Sequence, residues 1–309
     1  MKNCYYLGFD VGGLFIKGGV IDSRGKLTTD VLSYYPSKSR ASKEELLDHF
    51  VNMIIRQISS IMDRNFLIDG IVFAFPGPFD YENGISWIRG IEKFDSLYGV
   101  NIREELQERL GSERVFNNFA SKDWKIFFEN NVSLFGLGEW KLREKPDLSK
   151  MMCVTIGNGT GSAFLEKGEI IKKRNDVPPN GWIYNAPFRG SIVDDYISVR
   201  GILRIARDLG FGPDISLNML IKEAKRGNPK ACGVFEEFGR LLGEVLKKYV
   251  EKFQPEILVI GGYVSHYYEM FEDQLLAILA NENVTIKKSH DTSISVLTGI
   301  SEYIKRVRG

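Results

Sequence analysis

Cysteine is scarce in this chain of 309 residues, and its few positions are widely separated. The 3 cysteines are Cys4, Cys153 and Cys232. An odd number at such wide spacing predicts neither a disulfide framework nor a zinc-binding cluster. We therefore expect reduced thiols in a cytoplasmic protein without zinc, and metal analysis of the purified protein tests the absence of zinc.

An excess of one charge and long apolar runs are also missing. Lysine and arginine total 41 against 40 aspartate and glutamate residues, which gives a formal net charge of +1. This balance argues against a general binder of nucleic acid or of membrane surfaces. No apolar run reaches the length of a membrane span. Met1 to Cys4 lead straight into a predicted strand, so we expect no signal peptide.

What the chain does have is glycine, concentrated in short turns. Leu7 to Val11 alternate apolar with small or polar residues, which is the period of a strand. Gly12-Gly13 then break the run, and Phe15 to Ile21 predict a returning strand. Asp10 therefore lies at the end of a turn with few side chains. Backbone N–H groups there can approach an anion, and a carboxylate beside them can hold a hydrated cation, although an ordinary hairpin is the alternative.

The same arrangement returns later in the chain. Met151 to Leu165 predict a strand, a glycine-rich turn at Gly157 to Ser162 and a returning strand. Two such hairpins in a chain long enough for two cores predict a duplicated α/β unit with a cleft between the copies. We expect a small N-terminal domain of residues 1–127 plus 295–309, and a larger domain of residues 128–294.

Helical and strand periodicities fill the rest of the chain. Helices are predicted at residues 42–62, 101–110, 132–140, 194–209, 217–226, 229–253, 268–280 and 293–308. Further strands are predicted at residues 27–35, 71–75 and 257–260, and an irregular loop at residues 174–190. The strand after the second helix is either residues 115–116 or residues 126–128. We prefer residues 126–128, because a helix-like segment follows them.

The order of these motifs resembles that of the ROK sugar kinases, within the actin, hexokinase and heat-shock-70 ATPase fold. The matching segments are Asp10 to Lys17 (first phosphate motif), Pro76 to Asp80 (a Pro-Gly-Pro segment near the sugar), Gly157 to Gly161 (second phosphate motif), Val259 to Ser265 (adenosine-side glycine pair) and Leu297 to Ile304 (closing helix). The resemblance implies two duplicated ribonuclease H-like, actin-like ATPase domains around a central cleft. It also implies ATP and Mg²⁺ as cofactors.

The resemblance assigns the nucleotide to the glycine turns and the glycine pair, and Mg²⁺ to Asp10 through water. The implied nucleotide-binding residues are Asp10, Gly12, Gly13, Lys17, Gly157, Asn158, Gly159, Thr160, Gly161, Gly261 and Gly262. One departure weakens the first turn. Leu14 and Phe15 stand where the family usually has a threonine and a polar residue, and the missing hydroxyl removes a phosphate contact worth ~1 kcal/mol.

The family's central motif, Glu-Asn-Asp-Ala-Asn followed by Leu-Gly-Glu, is altered. Residues 129–140 read ENNVSLFGLGEW, and the Leu-Gly-Glu end aligns Asn131 with the family's catalytic aspartate. An amide is too weakly basic to accept the substrate proton. Asp194 and Asp123 are the alternative carboxylates. The resemblance assigns sugar binding to Gly77, Asn130, Asn131, Asn185 and Asp194.

The family's Gly-Glu-x-Gly-His hallmark and the cysteine-rich zinc loop after it are absent. Gly181 to Asn185 stand at that place, with Trp182 in place of the sugar-binding glutamate and Asn185 in place of the histidine. No cysteine lies between Cys153 and Cys232, so no zinc site of the family type is expected.

These residues leave three functions open. The chain is a weak ROK-type kinase of a hexose or hexose derivative, a non-catalytic sugar- or nucleotide-binding relative, or a repressor of the same family. We disfavour the repressor, because those proteins carry a DNA-binding domain ahead of the first hairpin and only 6 residues precede it here. The expected partners are a sugar and a nucleotide, with no nucleic acid or membrane. The resemblance also implies a homodimer formed through the larger domain.

Overall fold

The structure, a computed structural model, describes residues 2–29, 31–63, 65–90, 93–143 and 147–308. The chain forms two compact units, Met1–Leu142 with Ser293–Gly309, and Arg143–Thr292. We call them the first and the second unit. The first unit extends past the boundary predicted after residue 127. Within the described ranges, no helix combines the length and the apolar character needed to cross a membrane.

The first unit is a five-stranded sheet with helices. The strands up to the unit border are β1 (Asn3–Val11), β2 (Phe15–Asp22), β3 (Ser33–Pro36), β4 (Phe66–Phe75), β5 (Phe79–Asp80), β6 (Ile85–Ser86) and β7 (Ala120–Asn130). The helices are α1 (Lys43–Ser59), α2 (Ile102–Ser112), α3 (Arg114–Phe119) and α4 (Asn131–Arg143), with a 3₁₀ turn at Asp95–Leu97. The sheet order is β3-β2-β1-β4-β7, in which β1 to β3 are antiparallel neighbours and β4 and β7 add parallel to β1.

The second unit repeats this topology. Its strands are β8 (Lys150–Ile156), β9 (Thr160–Glu166), β10 (Glu169–Ile170), β11 (Pro187–Phe188), β12 (Ser191–Ile192), β13 (Ile257–Gly261) and β14 (Thr285–Lys288). Its helices are α5 (Val199–Asp208), α6 (Leu217–Lys225), α7 (Pro229–Phe253) and α8 (Glu272–Leu279), and α9 (Thr292–Arg308) follows. The order β10-β9-β8-β13-β14 again joins an antiparallel meander to two parallel strands. The predicted duplicated α/β unit is confirmed.

Glycines of the first hairpin let helices lie directly on the sheet of the first unit. A β-carbon on Gly8 would be 3.2 Å from Cγ2 of Ile300 on α9, and one on Gly19 would be 3.3 Å from Cδ1 of Leu297. A β-carbon on Gly18 would instead be 2.6 Å from Oε1 of Gln57 on α1. Since successive residues of a strand point to opposite faces, α9 and α1 cover the two faces of β2.

Most predicted elements are confirmed, with shifted ends. The 126–128 strand is part of β7, while residues 115–116 lie in α3. Two predicted helix starts are wrong. Helix α5 begins only after Ser198, whose Oγ accepts the N–H of Gly201, and α8 begins after a 3₁₀ segment at Tyr263–Met270. A predicted strand at residues 27–35 shortens to β3, and β14 was not predicted because its mostly exposed TIKK sequence carries no apolar alternation.

Candidate functional site

Three stacked rings lie across the parallel strands of the first sheet, at matching register positions. Phe9, Phe73 and Phe128 are register partners on β1, β4 and β7, with ring centroids 5.2 and 5.4 Å apart. Parallel strands in register end at one edge of their sheet, which is where open α/β sheets bind ligands. In this register, Asp10 on β1, the turn containing Gly77 after β4, and the start of α4 after β7 lie at a common edge of the sheet.

The first glycine turn carries a carboxylate and open backbone donors. Asp10 is buried, and Nζ of Lys17, its partner on β2, lies 3.4 Å from its Oδ2. The Gly12 N–H donates to the Phe15 carbonyl at 3.1 Å, so this amide is committed to the turn. Within the described part of the chain, the N–H groups of Gly13 and Leu14 have no acceptor. A negatively charged phosphate fits beside these two donors.

Asn130, expected to bind sugar, caps a helix. Its Oδ1 accepts the N–H groups of Val132 at 3.0 Å and Ser133 at 3.1 Å, which is the geometry of an N-cap for α4. Its Nδ2 donates to the Tyr81 hydroxyl at 2.9 Å, and that hydroxyl donates to the Phe75 carbonyl at 3.1 Å. Among the residues that the structure describes, the second N–H of the Asn130 amide has no acceptor, so it is available to a ligand. Tyr81, just after the predicted PGPFD segment, was missed.

Asn131 is the first residue of α4, and its side chain is half-buried. Among the described residues, no hydrogen-bond partner is present for its amide. The preceding carboxylate, Glu129, is buried and accepts the N–H of Asn130 at 2.7 Å. Asp123, one of the alternative bases, is exposed near the start of β7, about 23 Å along the strand from its end. Asp123 therefore cannot substitute for a carboxylate at position 131.

The second glycine turn already contains a carboxylate. Asp194 is 8% exposed, and its Oδ1 accepts the Thr160 N–H at 2.6 Å. Its Oδ2 pairs with the guanidinium of Arg200. The resemblance assigns Asp194 to the sugar and Thr160 to phosphate, whereas in the structure the Asp194 carboxylate and the Thr160 N–H bind each other. The N–H groups of Asn158 and Gly159 have no acceptor in the described ranges.

The segment that replaces the family hallmark is held by one hydroxyl of β9. The Ser162 Oγ donates to the Gly181 carbonyl at 2.5 Å and accepts the Ile183 N–H at 3.0 Å. Trp182 lies between these contacts, half-buried, with its ring 6.0 Å from that of Tyr184. Burial and then the charge of Asp194 raise the pKa of the Tyr184 hydroxyl. Asn185, the residue in place of the histidine, is exposed.

The remaining predicted glycine pair ends β13. Gly262 has φ +85°, and a β-carbon there would lie 2.5 Å from the Ile156 carbonyl oxygen, so only glycine fits. Its N–H donates to Oγ1 of Thr292 at 2.9 Å. Gly261 pairs with Thr155 of β8. The described residues contain no group of three or more His, Cys, Asp or Glu side chains arranged to hold a metal ion.

A sequence model of the ROK family matches residues 6–301. The chain belongs to the ROK family. Glucokinase of Thermotoga maritima is 24% identical over 296 residues, covering 87% of this chain and 85% of that relative. N-acetyl-D-glucosamine kinase of Vibrio cholerae is 24% identical over 287 residues, covering 87% of each chain. Sugar kinases are therefore among the homologues of this chain.

The fold agrees with this membership. The ROK hexokinase of Thermus thermophilus superimposes with a TM-score of 0.73 at 20% identity, covering 99% of this ROK-family chain and 100% of the hexokinase. The two sheets of equal topology are those of the actin-like ATPase fold, as predicted. The ROK match covers both glycine turns and Asn131.

Proposed function

We propose that this chain phosphorylates a hydroxyl of a hexose or hexose derivative with ATP, slowly. The observation that carries the proposal is the edge of the first sheet, where Asp10, the open N–H groups of Gly13 and Leu14, and Asn131 occur together. Phosphoryl transfer needs phosphates held by amides and Mg²⁺, an oriented hydroxyl and a proton acceptor. Asp10 and the open amides fit the first of these, and the last is missing at its expected place, position 131. The names of its relatives, a glucokinase and an N-acetylglucosamine kinase, support the substrate class.

The chain's own groups have defined tasks in this proposal. Asp10 fits the waters of Mg²⁺, because it is a buried carboxylate beside open amides. Mg-ATP, when bound, supplies the phosphoryl group and part of the charge neutralisation. Asn131 can hydrogen-bond the sugar hydroxyl but cannot take its proton, so the proton leaves to water. A coupled assay of ADP release with a panel of hexoses and their N-acetyl derivatives tests the proposal, and ADP release that no sugar stimulates contradicts it.

A non-catalytic binding protein is the second candidate. Two observations favour it: Asn131 replaces the base, and Asp194 occupies the Thr160 N–H of the second turn. In that case a sugar or a nucleotide binds without turnover, because binding requires hydrogen bonds but no proton acceptor. Isothermal titration that detects binding, together with no product in the coupled assay at any enzyme concentration, would favour this candidate.

Replacing Asp10 with alanine is expected to weaken Mg-ATP binding by about 10- to 100-fold. The change removes a charged acceptor from the metal's waters, and a hydrogen bond to a charged group contributes about 1.5–3 kcal/mol. Isothermal titration with Mg-ATP measures the effect. The matched control is Asp123→Ala, which removes an exposed carboxylate from the same unit. Equal affinities of wild type and Asp10→Ala would refute the role given to Asp10.

We also infer a homodimer formed through the second unit, on the basis of the family resemblance. Light scattering coupled to size exclusion is expected to give twice the chain mass of 35.1 kDa at micromolar concentration. A mass of one chain under those conditions would contradict the dimer.

A further inference from the structure

Lys93 lies directly over the first glycine turn. A β-carbon on Gly13 would be 2.9 Å from both Cε and Nζ of Lys93 and 3.1 Å from its Cδ. The side chain of Lys93 therefore occupies the volume that any larger residue at position 13 would need. Its ammonium group is held beside the turn whose Gly13 and Leu14 N–H groups are open.

Neighbouring contacts fix Lys93 in this place. The next residue, Phe94, is buried and adopts φ +58°, a conformation that is costly for a non-glycine residue. Its ring packs 5.4 Å from that of Phe75, and its N–H donates to the Ser39 carbonyl at 2.6 Å. The Ser39 Oγ in turn donates to the Gly13 carbonyl at 3.1 Å. Ser39 thus joins the segment carrying Lys93 to the glycine turn.

The same segment begins at the turn expected to bind the sugar. The N–H of Trp87 donates to the Pro78 carbonyl at 3.0 Å, next to Gly77. Trp87 thus lies beside the expected acceptor turn, and Lys93 lies beside the expected donor turn. During phosphoryl transfer, charge develops where the donor phosphate meets the acceptor hydroxyl. A cation at that place stabilises this charge.

We propose that Lys93 binds the terminal phosphoryl group of the nucleotide as that group meets the sugar hydroxyl. This inference rests on the proposed function. The bond from the γ-phosphorus to the bridging oxygen breaks, and its electron pair stays on ADP. The sugar oxygen bonds to phosphorus, and the hydroxyl proton leaves to water. Lys17, whose Nζ lies 3.4 Å from Oδ2 of Asp10, is a second cation at this turn. Lys93 provides a phosphate ligand in a turn whose Leu14 and Phe15 side chains carry no hydroxyl.

The position of Lys93 predicts discrimination between triphosphate and diphosphate. Lys93→Met is expected to weaken binding of a non-hydrolysable Mg-ATP analogue about 10-fold while leaving Mg-ADP affinity unchanged. Lys93→Arg, which keeps the charge, is expected to restore most of the affinity. The control is Lys122→Met, which makes the same change at an exposed site near the start of β7. Isothermal titration measures all affinities.

Gly13→Ala provides an independent test without removing the lysine. Its β-carbon meets the flexible end of Lys93, so the chain folds normally and the ammonium group moves away. We expect a similar decrease in analogue affinity, and no further decrease when Gly13→Ala is added to Lys93→Met, because both changes remove one interaction. Additive decreases, or equal decreases for analogue and ADP, would overturn the assignment to Lys93 alone. A wild type that binds neither nucleotide would overturn the proposed function as well.

Discussion

Replacing Asn131 with aspartate is expected to raise sugar phosphorylation at least ~10-fold over the wild type. General-base assistance raises enzymatic rates by ~10²–10⁴-fold. A loose phosphoryl-transfer transition state depends less on proton removal, so we expect a rate gain near the lower end of that range. Asn131 is half-buried at the start of α4, and its amide has no hydrogen-bond partner in the described part of the chain. A carboxylate there can accept the hydroxyl proton without disrupting a contact. The turnover number with Mg-ATP and saturating hexose measures the gain.

The neighbouring residue provides the matched control. Asn130→Asp makes the same chemical change one position earlier, but the Asn130 side chain caps α4 through Val132 and Ser133. Aspartate is an equally good N-cap, so the helix is retained and no gain in turnover is expected. Brisk wild-type turnover that Asn131→Ala leaves unchanged would show that another group is the base. A variant that gains nothing with any sugar would favour the binding-protein candidate.

Replacing Gly138 with alanine is expected to destabilise the first unit by about 3 kcal/mol or more. A β-carbon on Gly138 would lie 1.7 Å from the Ser295 carbonyl oxygen, and one on Gly299 would lie 1.8 Å from that of Leu134. Helices α4 and α9 therefore touch backbone to backbone, and alanine forces them apart. The Ser295 hydroxyl also donates to Glu139 Oε1 at 2.6 Å, which such a shift would break. Urea unfolding followed by circular dichroism measures the decrease in stability.

Gly111→Ala is the control for that experiment. Gly111 lies in α2 of the same unit, and a β-carbon there would meet no atom within 4 Å. Alanine in an open helical position stabilises by about 0.5–1 kcal/mol. If Gly138→Ala unfolds at the same urea concentration as the wild type, the close α4–α9 contact is refuted.

The strands and turns near the candidate site could be predicted from the sequence, because the residues that signal them are adjacent in the chain. Alternation over Leu7 to Val11, broken by Gly12-Gly13, determines both a strand and its turn. The second hairpin, at residues 151–165, predicted the duplicated topology for the same reason. The ends of helices were less predictable where a capping hydrogen bond from a polar side chain determines them. Ser198 interrupts a continuous helical pattern at residues 194–209, and its Oγ accepts the Gly201 N–H at the start of α5.

The contacts of the site residues could not be predicted from the sequence, because they join positions that are far apart in the chain. Thr160 meets Asp194, which is 34 residues away, and no local pattern signals this pairing. Lys93 lies beside Gly13, which is 80 positions earlier in the chain, and no local pattern signals this contact either. The cap at Asn130 is an exception. An asparagine just before a helical segment is a known start signal, and Asn130 and Asn131 both stand before the helix predicted at residues 132–140.

Direct detection of sugar phosphate tests whether this chain transfers phosphate to a sugar without a general base at position 131. Phosphorus NMR of long incubations with Mg-ATP and hexoses, for the wild type and Asn131→Asp side by side, distinguishes transfer from ATP hydrolysis. We expect one sugar phosphate per ADP in both samples, formed at least ~10-fold faster by the variant. ADP with inorganic phosphate but no sugar phosphate, or no reaction in either sample, would contradict it.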